Sequence, residues 1–363
     1  MVRTGSLLST AVVATRHGGP EVLKVRAFDI AAPEPGEVRV RVEAAGISYA
    51  DLLMCQGLHP ERRRAPFVPG WDVVGEVESV GSEIRNVAVG DRVAALSIVG
   101  GWAEHAVVPG SLVVPVPPAL ESTAAVCLVM DYIVAYQMLT RSTSVRRSNT
   151  VLIQGAGGGV GTALMQLARP MGVQVLGTDR EKKRSHIESE GGILIDFERE
   201  DVVDRCHELT DGQGVDAAFD GIGATARESL RAVRPGGRLV WFGMVTLLSG
   251  GARDLRKSAR TVANTAAVFA QNLRPRGKRT SLYSIQELAR RHPDWYRDDL
   301  AALLAMLADG HIKPHIAAVW KLDEVPAAVE ALASGGALPG KQVVAVAAVR
   351  SNALSPRESR LNS

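Results

Sequence analysis

The chain has 363 residues, of which 46% are hydrophobic and 22% charged; at about twice the length of a typical domain, this composition excludes wholesale disorder and fibrous repeats. Its 42 basic and 39 acidic residues leave a net charge of +3, so charge gives no nucleic-acid signature. Cys55, Cys127 and Cys206 are widely spaced and form no Cys-x-x-Cys pair, which argues against a disulfide framework and for a reducing, cytoplasmic setting.

In chain order, residues 37–43 alternate polar and apolar side chains, the pattern of a half-buried strand. Residues 73–80 and 92–98 read the same way, with turns at Gly81 and Gly90. A β-rich region therefore runs to about Val116, and residues 122–139 are expected to be helical. No apolar run approaches the roughly 18–20 residues of a membrane span. The start of the chain carries too short an apolar patch for a secretory signal. No integral membrane segment is expected.

The texture then changes. Residues 151–154, 173–178, 193–196, 217–220 and 238–242 are short apolar strands that alternate with helices at 162–168 and 202–209. That alternation predicts right-handed crossovers and a parallel sheet buried on both faces. Residues 250–279 read as basic and helical, 281–307 as further helices, 316–320 as a strand, 324–334 as a helix and 342–349 as a last strand. Residues 351–363 are expected to form a polar tail. The fold class is α/β: a β-rich unit at residues 1–128, a doubly wound parallel sheet at 129–280, and a return of strand and helix at 281–350.

Between the strand at 151–154 and the following helix lies a glycine cluster, Gly155 to Gly161 with Ala156 and Val160 as its non-glycine members. It fits the dinucleotide fingerprint with alanine at the first glycine position. Such a turn brings backbone close to a pyrophosphate, and the N–H groups and dipole of the helix start attract its charge. Gly158, Gly159, Val160 and Gly161 are the expected cradle. Asp179 ends the next strand 18 residues beyond Gly161, where a carboxylate accepts both adenosine ribose hydroxyls and favours NAD. Arg180, Lys182, Lys183 and Arg184 follow at once, and Arg180 or Lys183 placed against a 2′-phosphate favours NADP instead. The reading leans to NADPH and leaves NAD open.

The chain resembles the medium-chain dehydrogenase/reductase superfamily, in its zinc-free quinone oxidoreductase branch, similar to the vesicle amine transport protein homologues. Three regions carry the resemblance: Gly46, Ser48, Tyr49 and Asp51 through Gly57; Pro69, Gly70, Trp71, Asp72 and Gly75 through Gly90 and Asp91; and the glycine cluster. Gly310, Lys313, Pro314, His315, Trp320, Gly340 and Lys341 add to it. The resemblance implies a GroES-like catalytic domain formed from both ends of the chain, closing on a Rossmann domain, and a homodimer. Zinc-dependent members place Cys where Ser48 stands and His-Glu where Trp71 and Asp72 stand. No metal is therefore expected, since zinc needs three or four convergent N, S or O ligands.

Without a Lewis acid, hydride transfer favours acceptors that delocalise their own charge. The expected substrate is a quinone or an α,β-unsaturated carbonyl, with a specialised enoyl reductase as the alternative. His59 stands where related enoyl reductases carry a tyrosine acid, and Ser48 where quinone reductases carry an asparagine. These two are the candidate catalytic residues, His59 because imidazole exchanges protons near neutral pH. Asp51 reads as structural, Cys55 as a packed residue, and Tyr49 and Trp71 as pocket lining or core. Two basic features complete the reading: Arg62, Arg63 and Arg64, which the resemblance places near the cleft mouth, and Arg253 to Arg279, which suggests a third role as a membrane- or partner-binding protein.

Overall fold

The computed structural model describes residues 7–61, 63–243, 266–273, 277–335 and 338–346. Two antiparallel strands open the chain, β1 (Leu7–Ala14) and β2 (Leu23–Ile30). The sheet that follows contains β3 (Glu37–Ile47), β4 (Asp72–Val80), β5 (Arg92–Leu96), β6 (His105–Pro109) and β7 (Val113–Pro115). In β3 buried and half-buried residues alternate as far as Glu43, and the last four, Ala44 to Ile47, are all buried. The change has a cause: there β3 gains a neighbour from the far end of the chain. Between β3 and β4 lies helix α1 (Tyr49–Cys55).

Helix α2 (Ser122–Ser142) leads into the second half. It is long and apolar enough to cross a membrane by length and composition, which corrects the expectation that no run approaches spanning length. Its most apolar window is 72% buried inside the protein, however, packed on β3, β4 and β15; it is a core helix.

The second sheet is parallel throughout, in the order β10-β9-β8-β11-β12-β13. Its strands are β8 (Thr150–Gln154), β9 (Gln174–Asp179), β10 (Gly192–Asp196), β11 (Val215–Asp220), β12 (Val233–Trp241) and β13 (Arg279–Leu282). This order, counted from β8 as the first strand, is 3-2-1-4-5-6, the dinucleotide-binding topology, with its switch point between β8 and β11. Helices α3 (Gly159–Ala168), α4 (Arg184–Ser189), α5 (Val202–Glu208) and α6 (Ala226–Ala232) make the crossovers. Leu164, Met165 and Leu167 of α3 are buried, each worth about 1.5–3 kcal/mol of apolar burial.

β13 corrects the expectation of helix at its residues. Among the described residues it is an edge strand with an exposed end, Leu282 being 65% exposed, so it lacks the apolar signature of its neighbours. Most of the basic segment 253–279, Arg62 and the tail lie outside the described residues.

Helices α7 (Ile285–Arg291) and α8 (Pro293–Ala308) then lead back to β14 (Ile316–Lys321), α9 (Val325–Ala333) and β15 (Lys341–Ala345). β15 pairs antiparallel with β3 from Gln342–Ile47 to Ala345–Ala44, and β14 adds to it in parallel. The end of the chain thus completes the sheet begun at residue 37.

Candidate functional site

At the switch point, β8 runs into the glycine turn. Gly155 takes a φ of +74°, which glycine adopts without strain. Gly155 and Ala156 donate to Thr178 O at 3.1 and 3.0 Å, and Gly158 donates back to Gly155 O at 3.1 Å. A Cβ on Gly161 would lie 2.4 Å from Ala156 O, so helix and turn pack backbone to backbone. Alanine at the first fingerprint position is accommodated from across the sheet: a Cβ on Gly177 would come within 2.5 Å of the Ala156 methyl. Gly158 caps α3 without a side chain, and Gly159, Val160 and Gly161 form its first turn, whose N–H groups have no partner within the helix. These residues fit a dinucleotide pyrophosphate.

Asp179 ends β9 facing this turn. Its Oδ2 accepts Gly157 N–H at 3.1 Å and meets Lys183 Nζ at 3.3 Å. Both side chains are mostly buried, and the aliphatic part of Lys183 lies against Gly157, where a Cβ would sit 2.4 Å from its Cδ. Carboxylate and ammonium therefore share the Gly157 end of the turn. Arg180 is placed apart from them: its guanidinium pairs with Glu198 at 2.8 Å and lies 5.7 Å from the Phe197 ring centroid, exposed.

Ser48 caps α1. Its hydroxyl donates to Asp51 Oδ2 at 2.7 Å while its own N–H donates to the same oxygen at 2.8 Å. Asp51 Oδ1 accepts Gly70 N–H at 2.9 Å, which ties α1 to the approach of β4. Burial pushes the Asp51 carboxyl up to about 7, against the hydrogen bonds from Ser48. It titrates near neutrality directly behind the Ser48 hydroxyl, a role its sequence context did not reveal.

His59 lies edge-on to Trp71, ring centroids 5.0 Å apart. Its Nδ1 accepts Glu61 N–H at 3.2 Å, which leaves Nε2 to carry the proton. Burial lowers its pKa, so the neutral ring prevails at pH 7. Trp71 itself is 1% exposed, and its indole N–H has no hydrogen-bond partner among the described residues. Tyr49 is half-buried against the core. Cys55 is buried, and burial raises its thiol pKa far above the usual range, which leaves it no nucleophilic role. Arg63 is exposed and offers its carbonyl to His17 Nε2 at 2.9 Å.

The two halves of the site meet at Gly340, whose N–H donates to Gly157 O at 3.1 Å. The next residue, Lys341, reaches into the interior and pairs with Asp72 at 3.1 Å. The residues at the zinc-ligand positions are thus a capping hydroxyl, an indole and a carboxylate committed to lysine. They do not fit a metal, and among the described residues no three His, Cys, Asp or Glu side chains group to hold one.

Residues 34–118 match the alcohol dehydrogenase GroES-like domain, and residues 159–277 the family named zinc-binding dehydrogenase. The human synaptic vesicle membrane protein VAT-1 homolog is 32% identical over 89% of this chain and 83% of its own length. The chain belongs to the medium-chain dehydrogenase/reductase superfamily, in its quinone oxidoreductase-like branch. Human quinone oxidoreductase is 29% identical over 94% of this chain and 99% of that relative. The crystal structure of Escherichia coli quinone oxidoreductase complexed with NADPH superposes with a TM-score of 0.81 at 26% identity, covering 93% of this chain and 99% of that one. As a medium-chain dehydrogenase/reductase, the chain is an oxidoreductase.

Proposed function

We propose that this chain is an NADPH-dependent reductase that delivers hydride to a quinone or an α,β-unsaturated carbonyl without a metal. The observation that carries the reading is the glycine turn at the switch point, with Asp179 and Lys183 side by side at its Gly157 end. NADPH supplies the hydride when bound. Gly158 to Gly161 hold the pyrophosphate by backbone N–H groups, and Lys183 shields a 2′-phosphate from the Asp179 carboxylate. The NADPH complex of the E. coli relative supports this choice.

On the catalytic side, the reading assigns protons and hydrogen bonds to two groups. His59 presents Nε2–H as a neutral donor to a substrate oxygen. Ser48, backed by the Asp51 carboxyl that titrates near 7, relays a proton to the enolate or quinol oxygen. An acceptor that spreads its own charge needs only such donors.

The test is loss of 340 nm absorbance from NADPH and from NADH with an ortho-quinone and, separately, an enone, in the presence of a chelator. Chelator-resistant oxidation that falls at least about tenfold in His59→Gln or Ser48→Ala is the expected result. Cofactor binding without oxidation of any acceptor would overturn the reductase reading and leave the dinucleotide site.

A further inference from the structure

Asp131 lies on a π-helical turn, Leu128–Tyr132, in the middle of α2. Such turns concentrate at functional sites, because one extra residue re-aims the helix face. The side chain is buried, 5% exposed. Its Oδ1 receives the Lys341 ammonium at 3.1 Å, and the same ammonium meets Asp72 at 3.1 Å. Its Oδ2 is aimed at Gly159, the first residue of α3: a Cβ there would lie 1.8 Å from that oxygen. Asp131 thus sets a carboxylate against the start of the one helix whose first turn belongs to the glycine fingerprint.

The start of α3 attracts anions through free N–H groups and the helix dipole. A carboxylate held against Gly159 is an internal anion beside the seat of the pyrophosphate. Two carboxylates share one ammonium, and burial raises the Asp72 pKa against the pull of Lys341. Burial opposes the charge on Lys341, yet Asp131 and Asp72 hold its pKa above the usual lysine value. The lysine is therefore a fixed positive charge on Asp131 Oδ1, while Oδ2 is the oxygen that faces Gly159. Its strand is anchored to the glycine turn through Gly340 N–H and Gly157 O.

We propose that Asp131 and Lys341 set dinucleotide affinity as an opposed pair: Asp131 competes with the cofactor's pyrophosphate for the start of α3, and Lys341 draws that carboxylate aside. This rests on the dinucleotide reading above. Lys341 is a positioning residue that acts through Asp131. Because the pyrophosphate is common to both cofactors, the pair changes the affinity for NADPH and NADH alike, whereas Asp179 and Lys183 change their ratio.

The test measures dissociation constants for NADPH and NADH by cofactor fluorescence, with thermal unfolding alongside, on wild type, Asp131→Asn, Lys341→Met and the double variant. Asp131→Asn is expected to bind both dinucleotides about tenfold more tightly and Lys341→Met about tenfold more weakly. The double variant should stay within about threefold of Asp131→Asn, and the NADPH/NADH ratio should hold in all of them. A merely structural role lowers stability and weakens binding in both single variants, so opposite signs are the decisive readout. If Lys341→Met does not fold, Asp131→Asn decides alone. Unchanged or weaker binding there overturns the proposal while leaving the dinucleotide site intact; wild type that binds neither dinucleotide overturns both.

Discussion

Ser48 and Asp51 close a reciprocal cap on α1 in which one carboxylate oxygen accepts both the hydroxyl and the backbone N–H of the serine, at 2.7 and 2.8 Å. The cap fixes where α1 begins, and its second oxygen fixes Gly70 at 2.9 Å. A helix start and the approach to β4 are thereby held by one fully buried carboxyl.

That carboxyl gives a pH dependence with a definite sign. Its folded pKa, raised to about 7 by burial, exceeds the unfolded value of about 3.9. Between those values the folded chain keeps a proton that the unfolded chain has released. The contribution is therefore complete below about pH 4 and is lost as pH rises through 7. In urea unfolding at pH 5 and pH 8, Asp51→Asn should show a smaller drop than wild type, by ~3 kcal/mol. It should also be less stable at pH 5, because an amide cannot accept all three hydrogen bonds. An identical drop in both proteins would refute the assignment.

Asp179 and Lys183 give a selectivity prediction. The ion pair at 3.3 Å is mostly buried, so salt screens it less than an exposed pair. Lys183→Met leaves the carboxylate bare beside Gly157, opposite a 2′-phosphate. The ratio of kcat/KM for NADPH over NADH should fall about tenfold, and Asp179→Ser should raise it. Equal ratios in wild type and Lys183→Met would remove Lys183 from the adenosine site.

A third prediction concerns stability alone. Asp299 on α8 is 4% exposed and accepts Arg141 Nη2 and Nε at 2.6 and 2.9 Å and Gln137 Nε2 at 2.7 Å. Gln137 in turn accepts the Tyr283 hydroxyl at 2.7 Å. Arg141→Met leaves that carboxylate buried without its cation, which costs about 3–5 kcal/mol. Arg141→Met together with Asp299→Leu should recover part of the loss in a denaturant titration. No recovery would mean that Arg141 acts through its stacking on Trp295, 4.5 Å from the ring centroid.

The features legible in the sequence were those with a local signature. The glycine turn, the alternation of β3 and the apolar strands of the parallel sheet each declare themselves within a dozen residues. β13 is not legible because an edge strand needs no continuous apolar run. The pairing of Asp131 with Lys341 is illegible for a different reason: they are 210 residues apart, and no pattern in either stretch announces the other. Asp51 was visible as part of a motif, but its titration near neutrality follows from complete burial beside Asp72, which only the fold creates.

The place of β15 between β14 and β3 has a consequence for synthesis on the ribosome. Every strand of the parallel sheet among the described residues has emerged by residue 282, and that sheet can fold while the chain is still growing. The other sheet cannot: the edge of β3 from Ala44 to Ile47 waits for residues 342–345. Until then an apolar strand edge is open to pairing with other chains. The half of the protein made first is therefore finished last, and substitutions in β15 should show most sharply in the yield of newly made protein.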